Sequence, residues 1–290
     1  MKVLLRVLRW AARTLPWPVQ VAFWLGLVRP VAWLLLRSPA VRRVDPWAAV
    51  EWAFPELTPR QVNALVWRAL GHALLLIPET LAAPRRVDRV EFEGLEALLS
   101  LHAEGQGILV ASLHQGNFLQ TALGTARALA PHGLTLTLPI ELRRGDPASE
   151  LVAEVLGEGG VEVVPITGSG PAERARAAFG ALRALRRGGI VAMAADQEAG
   201  AGVPARFFGR EVIAPGGIAT LHAATWAPVI FAWSERRGDT HIVRAELLPF
   251  TGSVEKDTRT LTAAVERRVR ECPEQWLWIG EWITRLARKR

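Results

Sequence analysis

From Arg89 onward the chain changes its hydrophobic rhythm, and that change constrains the fold more than any other feature. Short apolar runs that read as strands alternate with longer amphipathic stretches that read as helices. The runs are RVEFEG, GILVASLH, LTLTLPI, VEVVPI, GGIVAMAAD and APVIFAWSE, and the alternating HIVRAELLPF closes the series. Between them, helices are expected over 95–105 (ended by Gly105), 146–156, 171–187, 215–225 and 256–271. Runs such as ILVAS are apolar at every position, as in a strand covered on both faces, and helices following strands favour parallel pairing. The expected fold is α/β, with a mostly parallel mixed sheet flanked by helices. Sites in such sheets lie at the carboxyl ends of the strands, where this sequence places His114 and the pair Asp196-Gln197.

The stretch before Arg89 has no strand signal. Residues 1–87 are expected to be a helical, membrane-interface segment, and 88–290 an α/β catalytic domain. The longest uncharged run near the start, 14–28, is too short for a single spanning helix, which needs about 20 apolar residues. With Arg29 and Pro30 next, broken interfacial helices are expected there. Thr58-Pro59 reads as a helix start, with Thr as N-cap and Pro at the first position.

Charge and aromatic content narrow the partners. The net charge is +7, and only three of the 35 cationic residues are lysines. Arginine suits phosphate, but a GC-rich coding sequence accounts for most of that bias. There are 12 Trp and no Tyr, and seven Trp fall within the first 67 residues among Leu, Val and Ala. That is the composition of a membrane interface, not of a nucleic-acid stacking platform, so membrane lipids are the expected partners and nucleic acid is not. The single cysteine, Cys272, excludes a disulfide framework and cysteine-based zinc sites. No Walker motif, dinucleotide fingerprint, nucleophile elbow or metal cluster is evident, so no metal or cofactor is expected.

His114 stands directly after the strand ILVAS and its following leucine. Gly116 and Asn117 then open a helix. A neutral imidazole there can take a proton from a substrate hydroxyl, and the helix's first amides can face an oxyanion. A lone histidine is more often a satisfied core or turn residue. Three further stretches argue for the functional reading by their order and spacing: AADQEAGAGVPARFFG over 194–209, APGGIATLHAATWAPVI over 214–230, and CPEQWLWIGEW over 272–282. His72, His102 and His132 read as bland helix or loop positions, His222 as core, and the GSG at 168–170 as a turn before Pro171.

Taken with VEFEGLEALLSLHAEGQGILVASLHQGNF, these motifs make the chain resemble the bacterial lipid A biosynthesis (lauroyl/myristoyl) acyltransferases over nearly its whole length. The resemblance implies a glycerolipid acyltransferase-like α/β fold and a peripheral or monotopic position on the cytoplasmic face of the inner membrane. It also implies transfer of an acyl group from an acyl-carrier-protein or coenzyme A thioester to a hydroxyl of a glycolipid or related lipid, with no other cofactor. It implies His114 as the catalytic residue. Gly116, Asn117, Arg143, Arg144, Asp196, Gln197 and Arg206 would stabilise the oxyanion or bind the acceptor. Phe118, Leu119, Phe207 and Phe208 would line an acyl pocket.

The sequence departs from that family at the position that matters most. The family signature is His, four residues, then Asp or Glu; here the acidic position is Leu119. Gln120 is one step later and about 100° further round the helix. Three outcomes are open. Another carboxylate (Glu141, Asp196 or Glu198) reaches His114 in space; Gln115 or Gln120 orients the ring without stabilising its charge; or the chain is an inactive, lipid-binding homologue.

Overall fold

The computed structural model describes residues 10, 12, 14–37, 45–142, 147–168, 170–196, 202–278, 283 and 286. Helices α1 (Trp17–Arg37), α2 (Pro46–Ala53) and α3 (Pro59–Arg86) precede the first strand. There follow β1 (Val90–Glu93), α4 (Leu95–Ala103), β2 (Ile108–Ser112), α5 (Phe118–Leu129), β3 (Leu136–Glu141), α6 (Pro147–Glu158), β4 (Glu162–Ile166), α7 (Pro171–Arg186) and β5 (Ile190–Ala194). The chain continues with β6 (Gly202–Phe207), β7 (Arg210–Pro215), α8 (Gly217–Thr225), β8 (Val229–Arg237), β9 (Thr240–Leu247) and α9 (Val254–Glu271).

Seven strands form one sheet in the order β1-β9-β8-β2-β5-β3-β4. All neighbouring pairs are parallel except β8 with β9, which form an antiparallel hairpin. The expected α/β class and mostly parallel mixed sheet are therefore observed. The central strands show why their sequences are apolar throughout. Leu109 and Ala111 of β2 enter one core cluster with Val191 and Phe231, while Ile108 and Val110 enter another with Ile190 and Ile230. Alternate residues of each strand thus feed layers on opposite faces of the sheet.

The segment before β1 shares the first of these layers. Val50 and Trp52 of α2 and Val62 and Val66 of α3 pack in the same cluster as Leu109 and Phe231. Thr58 caps α3 as expected, and Gln61 completes a capping box. The expected break near Arg29-Pro30 is not observed. Helix α1 continues through Pro30 to Arg37 and packs against α3, although proline removes one of its backbone hydrogen bonds. The α3 stretch Pro59–Ala82 is long and apolar enough to cross a membrane, but half of it is buried inside the protein, as in a core helix. Among the described residues near the start, Trp10, Leu15, Val19, Phe23 and Leu25 remain exposed.

The stretch read from sequence as a loop returning at Arg206 is a hairpin. β6 pairs antiparallel with β7 across the two-residue turn Phe208-Gly209. Both turn residues have positive φ, 50° and 74°, the signature of the turn that suits hairpin twist. A phenylalanine is costly in that conformation. Phe208 is held there by its N–H donating to Glu266 Oε2 (2.6 Å) and by the Arg270 guanidinium, 4.6 Å from its ring centroid.

Candidate active site

The missing carboxylate comes from Asp196. Strands β2 and β5 are parallel neighbours in a register that sets Ser112 beside Ala194. Two residues beyond each strand, His114 and Asp196 therefore emerge side by side at the carboxyl end of the sheet. Asp196 Oδ1 lies 2.8 Å from His114 Nδ1. An ionised carboxylate only accepts, so Nδ1 carries the proton and Nε2 is the basic nitrogen. The other oxygen, Oδ2, accepts the His114 backbone N–H (2.8 Å) and the Trp276 indole N–H (2.7 Å). Three donors converge on one buried carboxylate. Burial opposes its ionisation, but the His114 charge and these hydrogen bonds together hold it below the ordinary carboxylate range. For His114, burial disfavours the charged ring, and the Asp196 charge and hydrogen bond outweigh that, raising its pKa.

The WLW motif near the C-terminus is the clamp of this loop. Gln115 and Trp276 form an isolated antiparallel bridge. Gly116 N–H donates to Gln275 O (3.0 Å), and Leu277 N–H donates to His114 O (2.9 Å). Gln275 in turn pairs through its side-chain amide with the backbone N–H and C=O of Arg236. Gly116 adopts φ 63°, and a Cβ there would lie 2.6 Å from Ser234 Oγ and 2.7 Å from Ser234 O. The loop that presents His114 closes only with glycine at this position.

Asn117 is the N-cap of α5. Its Oδ1 accepts the N–H groups of Leu119 and Gln120, and its Nδ2 donates to Glu79 Oε2 (2.7 Å). Glu79, on α3, is the centre of a buried network that the sequence reading missed. It holds a two-pronged ion pair with Arg236 (3.0 and 2.6 Å) and accepts from His241 Nε2 (3.2 Å). Its burial alone would raise the pKa, but the His241 hydrogen bond and the Arg236 charge reverse that and bring it to about 2. The same Arg236 donates from Nη1 to Nδ1 of His72 (2.7 Å), so His72, read from sequence as a bland helix or loop position, joins the network. A lone acid in the apolar stretch ALLLIPETLAA, 73–83, was the available signal.

The other candidate residues are not all brought together. Phe118 meets the His114 ring edge-on at 5.4 Å. Leu119 is buried in the second core layer and supplies nothing polar. Gln120 turns to the α3 backbone, with Nε2 3.4 Å from Glu79 O, and does not orient the histidine. Phe207 and Phe208 lie in the first layer, across the sheet from Phe118 and Leu119, so the four do not line one pocket. Instead Phe207 packs on Trp276 (6.2 Å), and Phe208 on Phe54 (5.2 Å). Their place is beneath the clamp. The Gly116 amide, expected to face an oxyanion, is engaged by Gln275. Arg206 is exposed on β6, opposite Glu211, and Glu141 ends β3. Arg143, Arg144, Gln197 and Glu198 lie outside the described residues. His222 is core, as expected, with Nδ1 2.8 Å from Ala227 O.

Two cavities meet at Phe118. A small one touches His114, His72, Leu76, Gly116 and Trp276. A larger apolar one of about 110 Å³ lies between α4, α5 and the sheet, lined by Leu98, Val110, Ala122, Leu138 and Ile230 among others.

A basic nitrogen backed by a buried carboxylate and facing a small cavity can deprotonate a hydroxyl and stabilise the charge it acquires. No curated protein matches the chain. The family model for bacterial lipid A biosynthesis acyltransferases matches residues 29–282. That match begins within α1 and takes in α2, α3, the His114 loop, β5 with Asp196 beyond it, and the WLW clamp, and the chain belongs to the bacterial lipid A biosynthesis acyltransferase family.

Proposed function

We propose that the protein is a membrane-associated enzyme that moves a fatty acyl group from an acyl thioester to a hydroxyl of a glycolipid or lysolipid. The observation that carries this reading is the His114–Asp196 pair. His114 Nε2 takes the proton of the acceptor hydroxyl as that oxygen attacks the thioester carbonyl. Asp196 stabilises the resulting imidazolium. The tetrahedral intermediate collapses, its C–S bond breaks, and His114 returns the proton to the departing thiolate. The donor is a carrier-protein or coenzyme A thioester. Asp196, 2.8 Å from His114 Nδ1, supports this reading over the inactive, lipid-binding alternative.

Two further features support the substrate class. Phe118 borders both the His114 cavity and the larger apolar one, so a thioester carbonyl at His114 can send its acyl chain past Phe118 into apolar surroundings. The exposed Val19, Phe23 and Leu25 on α1, with the chain's positive charge, suit attachment to the anionic cytoplasmic face of the inner membrane. The test is thiol release from palmitoyl-coenzyme A and palmitoyl-carrier protein in the presence of bacterial membrane lipids. Transfer by wild type and none by His114→Ala is expected. Equal transfer by both would defeat the reading.

A further inference from the structure

The cavity at His114 raises a question that its own hydrogen bonds sharpen: what receives the negative charge that forms on the thioester oxygen? Of the polar groups around it, most are already engaged. Gly116 N–H is held by Gln275 O, Leu277 N–H by His114 O, the Trp276 indole by Asp196, and the Gln275 amide by Arg236. The Leu119 and Gln120 amides are capped by Asn117. His114 Nε2 is needed as the base. One side chain on the cavity wall is left, His72 of α3.

The protonation state of His72 is set by its partner. Arg236 Nη1 lies 2.7 Å from His72 Nδ1. A guanidinium has donors only and stays charged, so Nδ1 must be unprotonated and accept. The ring is therefore neutral, with its proton on Nε2. Burial first and the Arg236 charge second lower its pKa to about 4, which agrees with that state. Among the described residues Nε2 has no hydrogen-bond partner, and the side chain is only half-buried. Arg236 is itself fixed by both oxygens of Glu79. The arrangement is a neutral N–H donor on the cavity wall, its ring held from behind by Arg236, as an electrophilic group requires.

We propose that His72 Nε2–H donates a hydrogen bond to the carbonyl oxygen of the acyl thioester and stabilises the oxyanion that forms there. It transfers no proton. As the acceptor oxygen bonds to the carbonyl carbon and His114 takes its hydrogen, the carbonyl π electrons move onto the oxygen held by His72. They return when the C–S bond breaks and the thiolate leaves with the proton from His114. This inference rests on the acyl-transfer reading above and adds a second catalytic histidine to it.

Two isosteric substitutions separate the proposed role from a structural one. His72→Asn sets an amide oxygen where Nδ1 was, so it still accepts from Arg236 but has no donor at the Nε2 position. His72→Gln reaches with an amide N–H to about the place of Nε2. Full-length protein is assayed for thiol release from palmitoyl-coenzyme A and palmitoyl-carrier protein with bacterial membrane lipids, alongside thermal melting. The expected result is a kcat loss of about 10²- to 10³-fold for His72→Asn, the effect of one oxyanion donor. Melting temperature and the donor's KM should be little changed, and His72→Gln should recover most of the rate. Wild-type kcat in His72→Asn overturns the proposal, as do equal losses in both variants with lowered melting temperature. If His114→Ala abolishes transfer while His72→Asn does not reduce it, this inference alone fails. If wild type turns over neither donor, the acyl-transfer reading fails and takes this one with it.

Discussion

Replacing Asp196 by Asn tests the site at its most constrained atom. The aspartate accepts from His114 Nδ1 on one oxygen and from His114 N–H and Trp276 Nε1–H on the other. Asparagine has one oxygen and one NH₂. If its oxygen keeps the two donors, the NH₂ faces Nδ1, and the imidazole must move its proton to Nε2. The histidine then presents a proton to the acceptor hydroxyl where it needs a lone pair. If the amide turns the other way, two N–H groups face an NH₂, and the clamp at Trp276 opens. The first arrangement leaves only one mismatched contact and is the one expected. In a serine protease triad the same change, which also imposes the wrong tautomer, costs about 10⁴ in kcat. A loss of about 10³- to 10⁴-fold is expected here, with KM for the thioester nearly constant. The pH dependence should shift as well. In wild type the pair raises the His114 pKa, so the rate falls on acidification at a pH above 6.5, as the base protonates. Without the carboxylate, burial acts alone and lowers the His114 pKa, so the residual activity of Asp196→Asn should persist to lower pH. Initial rates of thiol release from pH 5 to 9 measure both effects. A variant within threefold of wild type, with an unmoved acidic limb, would refute the assignment of Asp196.

Leu119→Glu restores the family's usual acid in sequence but buries it in the second core layer; with Asp196 already in place, chemical denaturation should show a loss of about 3 kcal/mol and kcat should not rise. Glu79→Gln leaves the Arg236 cation buried without its counter-charge, and unfolding free energy should fall by about 3–5 kcal/mol. In wild type, Glu79 titrates near 2 when folded against 4.5 as an ordinary glutamate, so its stabilisation is complete above about 4.5 and is lost as the pH falls toward 2. His72 acts in the same sense between 6.5 and about 4, because the unfolded chain protonates it there and the folded chain does not; denaturation midpoints at pH 7, 5 and 3 should fall in that order. Ala122→Leu adds bulk to the apolar cavity beside Phe118, and competition among acyl thioesters of different lengths should show preference moving toward shorter chains.

How much of this was legible in the sequence depends on the range of the interaction. The strand and helix rhythm is local, and the central strands and most helices followed from it. Thr58 with Pro59 and Gln61, and Asn117 before α5, are caps built from neighbours, and both were readable. The β6–β7 hairpin was not, because its turn carries Phe208 in a conformation that local preference assigns to Gly or Asn; Glu266 and Arg270, about 60 residues later, hold it. Pro30, a local helix breaker, misled as well, since α1 runs through it. The pairing of His114 with Asp196 was open among three carboxylates for a different reason. Both residues could be placed at strand ends, but which strands are neighbours is a property of the sheet. Once β2 lies beside β5 in the observed register, residues 82 apart in sequence become partners.

The same register accounts for the leucine at 119. The family signature puts the acid on what is here the first turn of α5, whereas Asp196 follows β5. Here the carboxyl end of β5 supplies the acid, and three donors fix it. A second carboxylate near the first would meet like charge in a poorly solvated place, and one of the two would take up a proton or push the other away. Position 119 is then released from electrostatic duty and does what its burial demands, which is to be apolar. The first turn of α5 is secured through Asn117 and Glu79 instead, and Glu79 also fixes Arg236, whose other arm sets the His72 tautomer. If this division is correct, the double variant Leu119→Glu, Asp196→Leu should recover part of the activity that Asp196→Leu loses. It should remain below wild type, because a glutamate on α5 leaves the Trp276 and His114 backbone donors without an acceptor. Kinetics of the two single variants and the double variant, with folding checked by near-ultraviolet circular dichroism, decide it. A double variant no more active than Asp196→Leu would show that the two sides of the loop are not interchangeable places for the acid.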